Sequence, residues 1–356
     1  MFASLPFTYM FFLIMGFGTL FSISSAHWFG VWAGLEINLI GFLPVMIYEK
    51  STSETESAVK YFIVQATGSS LLMLGSLSLY HLTFTWDSIS LGAVWSPLWC
   101  VVISTGLFMK LGLFPFHYWI PSVMAGLPWF SCLLLATWQK IAPLFLVASL
   151  VDCGVIITVV IIFCMCSAGS TIVGGLGGIN QTQMRGLMAY SSIGHLGWMT
   201  FAMLHGEWVM KVYFSFYVFI TICMFISFWY YDSESMKEMN TLTNSRGMKW
   251  NLGLILLSLG GLPPLLGFIP KLMVIDKAIS GPTGNFVLIL ILGSLISLSY
   301  YLTFFFSLIT GEKKVNKFCV TKQPKTTNAL LNFLLILNLF GGVFIVVINF
   351  LESLVL

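Results

Sequence analysis

Runs of about 20 apolar residues recur along nearly the whole chain, and each is long enough to cross a hydrocarbon core of about 30 Å as a helix. The composition agrees with this pattern. Apolar residues make up 58% of the chain and charged residues only 8%, against roughly a quarter in a soluble domain. We therefore predict an all-α polytopic membrane protein that forms one continuous bundle over residues 1–356, with no soluble domain.

The apolar runs predict about eleven membrane spans. Two stretches, 117–126 and 268–282, follow proline-rich breaks and could add half-helices that complete a span. The predicted spans cover residues 5–24, 26–48, 58–80, 97–116, 127–149, 154–176, 184–204, 209–231, 250–267, 283–309 and 328–350.

Basic residues are distributed unevenly between the two sides that eleven spans define. Ten lie on the side of the N-terminus, and only Lys211 and Lys277 lie on the other. Because loops on the cytoplasm-equivalent side collect Lys and Arg, the N-terminus is predicted to face that side and the C-terminus the opposite one. The ten are Lys50, Arg185, Lys237, Arg246, Lys249, Lys313, Lys314, Lys317, Lys322 and Lys325.

The composition also argues against several classes of site. A net charge of only +3 argues against a nucleic-acid partner. The seven cysteines lie mostly inside apolar runs, and Cys164 and Cys166 lack the spacing of a zinc or iron–sulfur site. The glycines of 174–178 end a predicted helix, so we expect no nucleotide site there. The N-terminus lacks the basic region of a targeting peptide, and the first apolar run is expected to be retained as a span.

A lysine lies beside a predicted helix break in the stretch 109–121. Lys110 stands near the end of an apolar run, and Gly112, Pro115 and Pro121 follow it. Proline breaks a helix interior and leaves backbone carbonyl groups without their helical donors. A charge at membrane depth costs on the order of a few kcal/mol unless it meets a partner or water. Lys110 is therefore predicted to face an acidic partner or a hydrated cavity.

The same break recurs 149 residues further along the chain. Gly112, Leu113, Pro115, Ile120, Pro121 and Met124 are matched by Gly261, Leu262, Pro264, Ile269, Pro270 and Met273. Pro263 adds a further proline to the second break. Five predicted spans separate the copies, and an odd number inverts the second copy, so we predict inverted repeat units over 5–149 and 154–309 and a final helix over 328–350. Paired interrupted helices in inverted repeats are typical of transporters with a site near the bilayer midplane. The alternative is chance similarity in a sequence rich in Gly, Pro and Leu.

Five ionisable residues fall inside or beside predicted spans and are candidates for a proton path: Glu36, Lys110, Lys140, His195 and Lys271. Burial disfavours the charged form of a lysine or glutamate, whereas an opposite charge nearby favours it. A lysine whose partner glutamate moves away can therefore release a proton. Histidine titrates near neutral pH and suits a relay between such lysines.

Structural interpretations of these residues stay open. A Glu36–Lys110 pair could simply hold two helices together, and His195 could be an ordinary hydrogen-bonded core residue. Lys60, near the start of a predicted span, could extend to the membrane interface rather than take part in a relay. Lys60 and His117 are therefore supporting candidates only.

Seven groups of residues, in order over about 26–275, carry a resemblance to a known family. The family is the antiporter-like subunits in the membrane arm of respiratory complex I, the NADH–ubiquinone oxidoreductase. The groups are Trp32-Ala-Gly-Leu-Glu36-Ile-Asn38, Lys60-Tyr-Phe with Gln65-Ala66, Lys110-Leu-Gly with Pro115-Phe-His117, Thr137-Trp-Gln-Lys140-Ile-Ala-Pro143, Gly177-Gly-Ile-Asn-Gln-Thr182, Ala189-Tyr-Ser-Ser with His195-x-Gly-Trp-Met199, and Gly260-Gly-Leu-Pro-Pro264 with Gly267-Phe-Ile-Pro-Lys271.

The resemblance implies a fold and a set of functional residues. The shortened animal form, encoded in the mitochondrion, lacks the first three spans of its bacterial relatives, which agrees with eleven spans here and with an N-terminus on the matrix side. Glu36, Lys110, Lys140 and Lys271 match the residues assigned to the family's proton path, with histidine and water between them. Ser122 departs from the pattern, because many relatives carry glutamate there, so an acidic role at that position is absent or moved.

The resemblance also implies a function. The chain is expected to be a proton-translocating subunit in the mitochondrial inner membrane, driven by NADH oxidation and ubiquinone reduction in other subunits. FMN, iron–sulfur clusters and ubiquinone are expected in those subunits, and no redox centre in this chain. Expected partners are other membrane-arm subunits, including further antiporter-like ones, and membrane lipids. The alternatives are a structural scaffold without a conducting path and a free-standing cation/proton antiporter.

Overall fold

The computed structural model describes residues 7–48, 50–84, 86, 97–152, 157–231, 246–263, 265–279, 281 and 283–310. Every regular element within these ranges is a helix, as the apolar runs predict. The chain divides into two compact units, Met1–Ser170 and Thr171–Leu356. The predicted span 328–350, Pro264 and the basic residues after 310 lie outside the described residues.

The described part of the first unit contains seven helices and the start of an eighth. Helix α1 packs along α2, α3 packs along α4, and α7 contacts α1, α4 and α6. Their apolar residues, such as Leu107, Ile120 and Leu144, are fully buried at the centre of this unit. The helices are α1 (Thr8–Ser24), α2 (Trp28–Met46), α3 (Thr52–Thr83), α4 (Pro97–Leu111), α5 (Trp119–Ala125), α6 (Trp129–Ala136), α7 (Trp138–Asp152) and α8 (Ile157–Ile179), and the division between the units falls within α8.

The second unit contains five further described helices. Helix α9 is almost entirely buried and contacts α10, α12 and α13, while α11 packs along α13. Functional side chains on α9 are therefore shielded by the surrounding helices of the unit. The five are α9 (Met184–Met203), α10 (Glu207–Tyr231), α11 (Arg246–Gly260), α12 (Phe268–Ile279) and α13 (Gly284–Thr310).

The repeated break has the same backbone geometry in both copies. Both bounds of α11 lie 149 residues after those of α4, and α12 begins 149 residues after α5. Gly112 (φ +75°) and Gly261 (φ +79°) end the first helix of each pair in the left-handed conformation that favours glycine. The next residue then donates its amide five residues back, from Leu113 to Phe108 (3.1 Å) and from Leu262 to Leu257 (3.4 Å). This agreement in backbone hydrogen bonds supports a true repeat over chance similarity.

Prolines take matching places in the two copies. Pro121 and Pro270 are each the third residue of their short helix, where the missing amide hydrogen would have had no helical acceptor. Pro115 and Pro263 lie in the connections between the paired helices. The half-helices expected within 117–126 and 268–282 are confirmed as α5 and α12.

The structure corrects several predicted bounds. The predicted spans 97–116 and 250–267 end earlier, at Leu111 and Gly260, because the glycine that follows each takes a left-handed conformation that ends the helix. The predicted span 127–149 is interrupted at Thr137, where the side chain bonds the carbonyl of Leu133 (2.7 Å). Arg246 and Lys249, expected in a loop, lie in α11.

Six helical segments in the described residues are long and apolar enough to cross a membrane. One of them, Trp129–Val151, combines α6 and most of α7 across the interruption at Thr137. The other five are Trp28–Met46, Thr52–His81, Val159–Ile179, Glu207–Trp229 and Gly284–Ile309. Two shorter apolar helices, Tyr9–Ser24 and Leu98–Leu111, accompany them. The membrane class is thereby supported, and the count of about eleven spans stays a prediction.

Candidate functional site

Lys110 is buried at the end of α4, directly before the first break. Lys110 is only 6% exposed, although its side chain ends in an ammonium group. Two side chains complete the hydrogen bonds that the helix end leaves open. Gln65 Nε2 donates to the carbonyl of Lys110 (3.2 Å), and the indole of Trp119 donates to the carbonyl of Met109 (3.1 Å). The first break is thus held by neutral donors around a buried lysine.

Glu36 lies on α2 in the same unit. Its carboxylate interacts electrostatically with Lys110 and with Tyr61. Its Oε1 atom is buried and has no hydrogen-bond donor within the described part of the chain. Glu36 therefore lies close enough to Lys110 for a through-space interaction, and the joint role of the two residues stays a prediction. A carboxylate held in this way can change its distance from the lysine without first breaking a hydrogen bond at Oε1.

A pair of carboxamides joins α2 to α7 beside these charges. Asn38 Nδ2 donates to Gln139 Oε1 (2.8 Å), and Gln139 Nε2 donates back to Asn38 Oδ1 (3.2 Å). Tyr61 adds a third contact, from its hydroxyl to Gln139 Oε1 (3.4 Å). Asn38 and Gln139 had no predicted role, because a sequence does not show which amides face each other. In the sequence, only their closeness to Glu36 and Lys140 could have indicated that they belong to the site.

Lys140 is also buried and lies next to a helix interruption. It is 3% exposed and is the third residue of α7, which begins after the break at Thr137. Its backbone amide donates to the carbonyl of Thr137 (3.3 Å). Glu36, Asn38, Tyr61, Lys110, Gln139 and Lys140 together form what we call the first polar cluster.

Lys271 forms a hydrogen bond with the backbone at the second break. It is 7% exposed, and its Nζ donates to the carbonyl of Gly260, the last residue of α11 (2.8 Å). The C-terminus of a helix carries partial negative charge, so it attracts an ammonium group. Ser122, which takes the place of Lys271 in the first copy, instead bonds the carbonyl of Trp119 on its own helix (2.9 Å). The two copies therefore share the backbone geometry of the break. They differ at this position, because Lys271 donates to the carbonyl that ends the preceding helix and Ser122 does not.

His195 lies in the middle of buried α9 and contacts two tyrosines of α10. Its Nδ1 is 3.0 Å from the hydroxyl of Tyr213, and its ring centre is 5.2 Å from that of Tyr217. Both tyrosines are buried. Neither was singled out from the sequence, because α10 is rich in aromatic residues of which most would be expected to pack against lipid or core.

A small polar cavity connects the surroundings of His195 and Lys271 within the second unit. About 10 Å³ of it is open to the centre of a water molecule, which is on the order of one water. The hydroxyl of Tyr300 lines it beside Tyr301 and Ser297, yet has no hydrogen bond of good geometry within the described residues. The lining residues are Thr171, Ser191, Gly194, His195, Trp198, Lys271, Gly293, Ser294, Ser297, Tyr300 and Tyr301. We call His195, Tyr213, Lys271, Tyr300 and Tyr301 the second polar cluster.

The two supporting candidates have surroundings of their own. Lys60 forms an ion pair with Glu56 one turn earlier on α3 (2.5 Å), and both side chains are well exposed. This geometry favours the interfacial interpretation of Lys60 over the relay. His117 is buried in the connection between α4 and α5, where its Nδ1 lies 3.2 Å from the carbonyl of Pro115. That contact favours a role for His117 in stabilising the first break.

Comparison with known proteins agrees with the fold and the motifs. A family model described as the transmembrane region of NADH:quinone oxidoreductase and Mrp antiporters matches residues 25–297. NADH-ubiquinone oxidoreductase chain 2 of Lumbricus terrestris is 40% identical over 294 residues, which cover 81% of this chain and 83% of that protein. The same chain of Xenopus laevis is 36% identical over 316 residues, with 88% and 86% covered.

Solved structures share the fold at lower identity. A chain of respiratory complex I from Thermus thermophilus superposes with a TM-score of 0.82 at 24% identity, covering 94% of this chain and 77% of that one. A chain of an archaeal membrane-bound sulfane sulfur reductase superposes with a TM-score of 0.84 at 19% identity, covering 96% and 74%. The family match and the curated relatives span most of this sequence. The chain therefore belongs to the NADH-ubiquinone oxidoreductase chain 2 family of antiporter-like membrane subunits.

Proposed function

We propose that this chain translocates protons as a membrane-arm subunit of respiratory complex I, coupled to NADH oxidation and ubiquinone reduction in other subunits. The observation that carries the proposal is the burial of three lysines, Lys110, Lys140 and Lys271, which are 6%, 3% and 7% exposed in a chain of membrane-spanning character. Such groups are costly in a membrane, so they mark ion or proton paths by default. Membership of the chain 2 family supports the same function.

In the first polar cluster, Glu36 would control the proton affinity of Lys110. A nearby carboxylate stabilises the ammonium form, and its withdrawal in an apolar environment favours release of the proton. The missing donor at Glu36 Oε1 among the described residues supports such a movement. The Asn38–Gln139 pair would keep α2 and α7 in register while the charges change.

In the second polar cluster, His195 and Lys271 would exchange a proton through the small cavity that both line. A water there has hydroxyl partners, including that of Tyr300, and can bridge two groups that do not touch. The order of transfer is part of the proposal. Lys110 passes a proton to Lys140, and it continues through His195 and water to Lys271 and the exit side.

The finer topology belongs to the same proposal. Eleven spans place the N-terminus on the matrix side of the mitochondrial inner membrane and the C-terminus on the intermembrane-space side. The uneven distribution of basic residues supports this orientation.

The wider assembly is a further part of the proposal. The chain would carry no redox centre of its own, and FMN, iron–sulfur clusters and ubiquinone would be held by other subunits. Its partners would be other membrane-arm subunits, including further antiporter-like ones, and membrane lipids. The similarity to chains of respiratory membrane complexes supports such partners.

The proposal is tested by replacing Lys110 with Met in the assembled complex and measuring protons translocated per NADH oxidised. Lys211→Met is the matched control, because Lys211 is an exposed lysine paired with Glu207 on α10. We expect fewer protons per NADH for Lys110→Met and an unchanged ratio for the control. A scaffold would instead give less assembled complex with the native ratio, and that result would refute proton transfer through Lys110.

A further inference from the structure

Tyr213 is a buried residue of α10 whose hydroxyl meets the imidazole of His195. The phenol oxygen is 3.0 Å from Nδ1, a distance typical of a direct hydrogen bond. Tyr213 is only 1% exposed, and α10 packs against α9, which carries the histidine. A buried tyrosine hydroxyl of this kind is usually placed by a specific partner rather than by packing alone.

A hydroxyl is suited to hold a histidine that changes its protonation state. It can accept from Nδ1–H in the neutral Nδ1-protonated ring and in the imidazolium alike. Nδ1 therefore keeps its hydrogen bond while a proton is gained or lost at Nε2. Carboxylates are the commoner partners for this purpose, but a second fixed charge would be costly at membrane depth.

The other groups around His195 are mostly neutral. Ser191 and Ser192 are on its own helix, and Tyr217 on α10 packs its ring against the imidazole. Tyr300 and Tyr301 of α13 line the cavity with it, and Lys271 of α12 is the charged residue among the cavity-lining side chains. The proton affinity of His195 is therefore expected to depend on Lys271, on the hydroxyls that line the cavity and on the hydrogen bond to Tyr213.

We infer that Tyr213 is a positioning residue for proton transfer, fixing the orientation of the His195 ring so that Nε2 serves the exchange with the cavity and Lys271. This inference rests on the proposed role of His195 in the proton path. It goes beyond that role by assigning the group that holds the histidine in place. Tyr213 itself need not gain or lose a proton.

The test is the pH dependence of protons translocated per NADH in complexes that carry Tyr213→Phe. This change removes the hydroxyl and leaves the ring. Without an acceptor on Nδ1 the imidazolium is disfavoured, so a lower pH is needed to populate it. We expect the pH profile to move to lower pH by about one unit, with the assembled amount of complex unchanged.

Tyr217→Phe is the matched control, since Tyr217 lies one turn further along α10 and its hydroxyl is directed to Ser192. Its pH profile should coincide with that of the native complex. His195→Gln is measured in parallel and should lower the proton ratio. A native profile for Tyr213→Phe together with a lowered ratio for His195→Gln overturns this inference alone. A native ratio for His195→Gln overturns the proposed role of His195 and the inference with it.

A measurement on the unmodified complex keeps the inference testable if Tyr213→Phe does not assemble. Density maps of the native complex, in states captured during turnover and at rest, would show the two side chains directly. The hydroxyl of Tyr213 should lie within hydrogen-bond distance of Nδ1 in each state. A separation beyond about 3.5 Å in any of these states would overturn the assignment.

Discussion

At the scale of single residues, each buried lysine lies where a helix is interrupted. Lys110 precedes Gly112 by two residues, Lys140 follows the break at Thr137, and Lys271 bonds the carbonyl that ends α11. Helix ends expose carbonyl groups with partial negative charge, which attract cations. At the second break, the contact with the carbonyl of Gly260 therefore makes the burial of Lys271 less costly.

The bond from Lys271 to Gly260 can be separated from the charge of Lys271. Lys271→Met removes the donor, and Lys271→Arg keeps both a donor and a positive charge. We expect Lys271→Met to destabilise the second break by about 1–3 kcal/mol and Lys271→Arg to have a smaller effect. The measurement is the thermal midpoint of the assembled complex. Equal midpoints for the two variants would show that the bond does not stabilise the break.

The ionisable residues are predictable from the sequence, and their neutral partners are not. A lysine inside an apolar run is conspicuous, so Lys110, Lys140 and Lys271 could be chosen from the sequence alone. Tyr213 and Gln139 could not, because aromatic and amide residues also fill ordinary packing positions and their function depends on which side chain they face. The sequence does not show which side chains face each other in the folded bundle.

At the scale of helices, the two copies of the break use the same backbone and different donors. Gln65 and Trp119 bond the carbonyls that α4 leaves open, whereas Lys271 bonds the last carbonyl of α11. The first copy is therefore held together by neutral groups, and its lysine is not required to close the helix end. In the second copy, Lys271 both donates to the last carbonyl of the helix and carries the buried charge.

Trp119→Phe tests whether uncharged side-chain donors stabilise the end of α4 at the first break. The indole N–H that donates to Met109 is lost, and we expect a destabilisation of about 1 kcal/mol beyond the loss of ring volume. Trp28→Phe is the control, because Trp28 is buried and its N–H has no acceptor among the described residues. Thermal midpoints of the two assembled variants give the comparison. A midpoint for Trp119→Phe no lower than that of Trp28→Phe would show that the hydrogen bond from Trp119 does not stabilise the break.

The Asn38–Gln139 pair predicts a non-additive double replacement. Asn38→Leu alone leaves the half-buried Gln139 amide without its Asn38 partner, which costs about 1–3 kcal/mol. Asn38→Leu with Gln139→Leu removes both polar groups, so the double variant should be less destabilised than the sum of the single ones. The coupling energy from a double-mutant cycle on complex stability is the readout. Strict additivity would mean that the two amides do not interact in the membrane.

Helix bounds were predictable only where the chain has a strong local signal. The repeated glycine and prolines indicated the position of both breaks, and the half-helices α5 and α12 follow them. The interruption at Thr137 was missed, since threonine is tolerated within helices and its effect depends on its bond to Leu133. Helix α3 begins at Thr52, six residues before the predicted span, because Ser51 caps a polar first turn that hydropathy alone does not include.

At the scale of the whole molecule, apolar composition indicates the class, and the similarity to known proteins shows the family. The helical membrane character predicted from the runs is confirmed by the described helices, and the family by relatives that span most of the chain. The number of spans depends in part on residues after 310, which lie outside the described structure. The single-bundle organisation likewise remains a prediction, beside the two compact units that the structure contains.

The central claim is that buried lysines exchange protons rather than only providing charge. Lys140→Arg separates the two, because arginine keeps a positive charge and does not release its proton at physiological pH. The measurement is protons translocated per NADH in assembled complexes with native rates of electron transfer. We predict fewer protons per NADH for Lys140→Arg than for the native complex. A native proton ratio in that variant would contradict the claim.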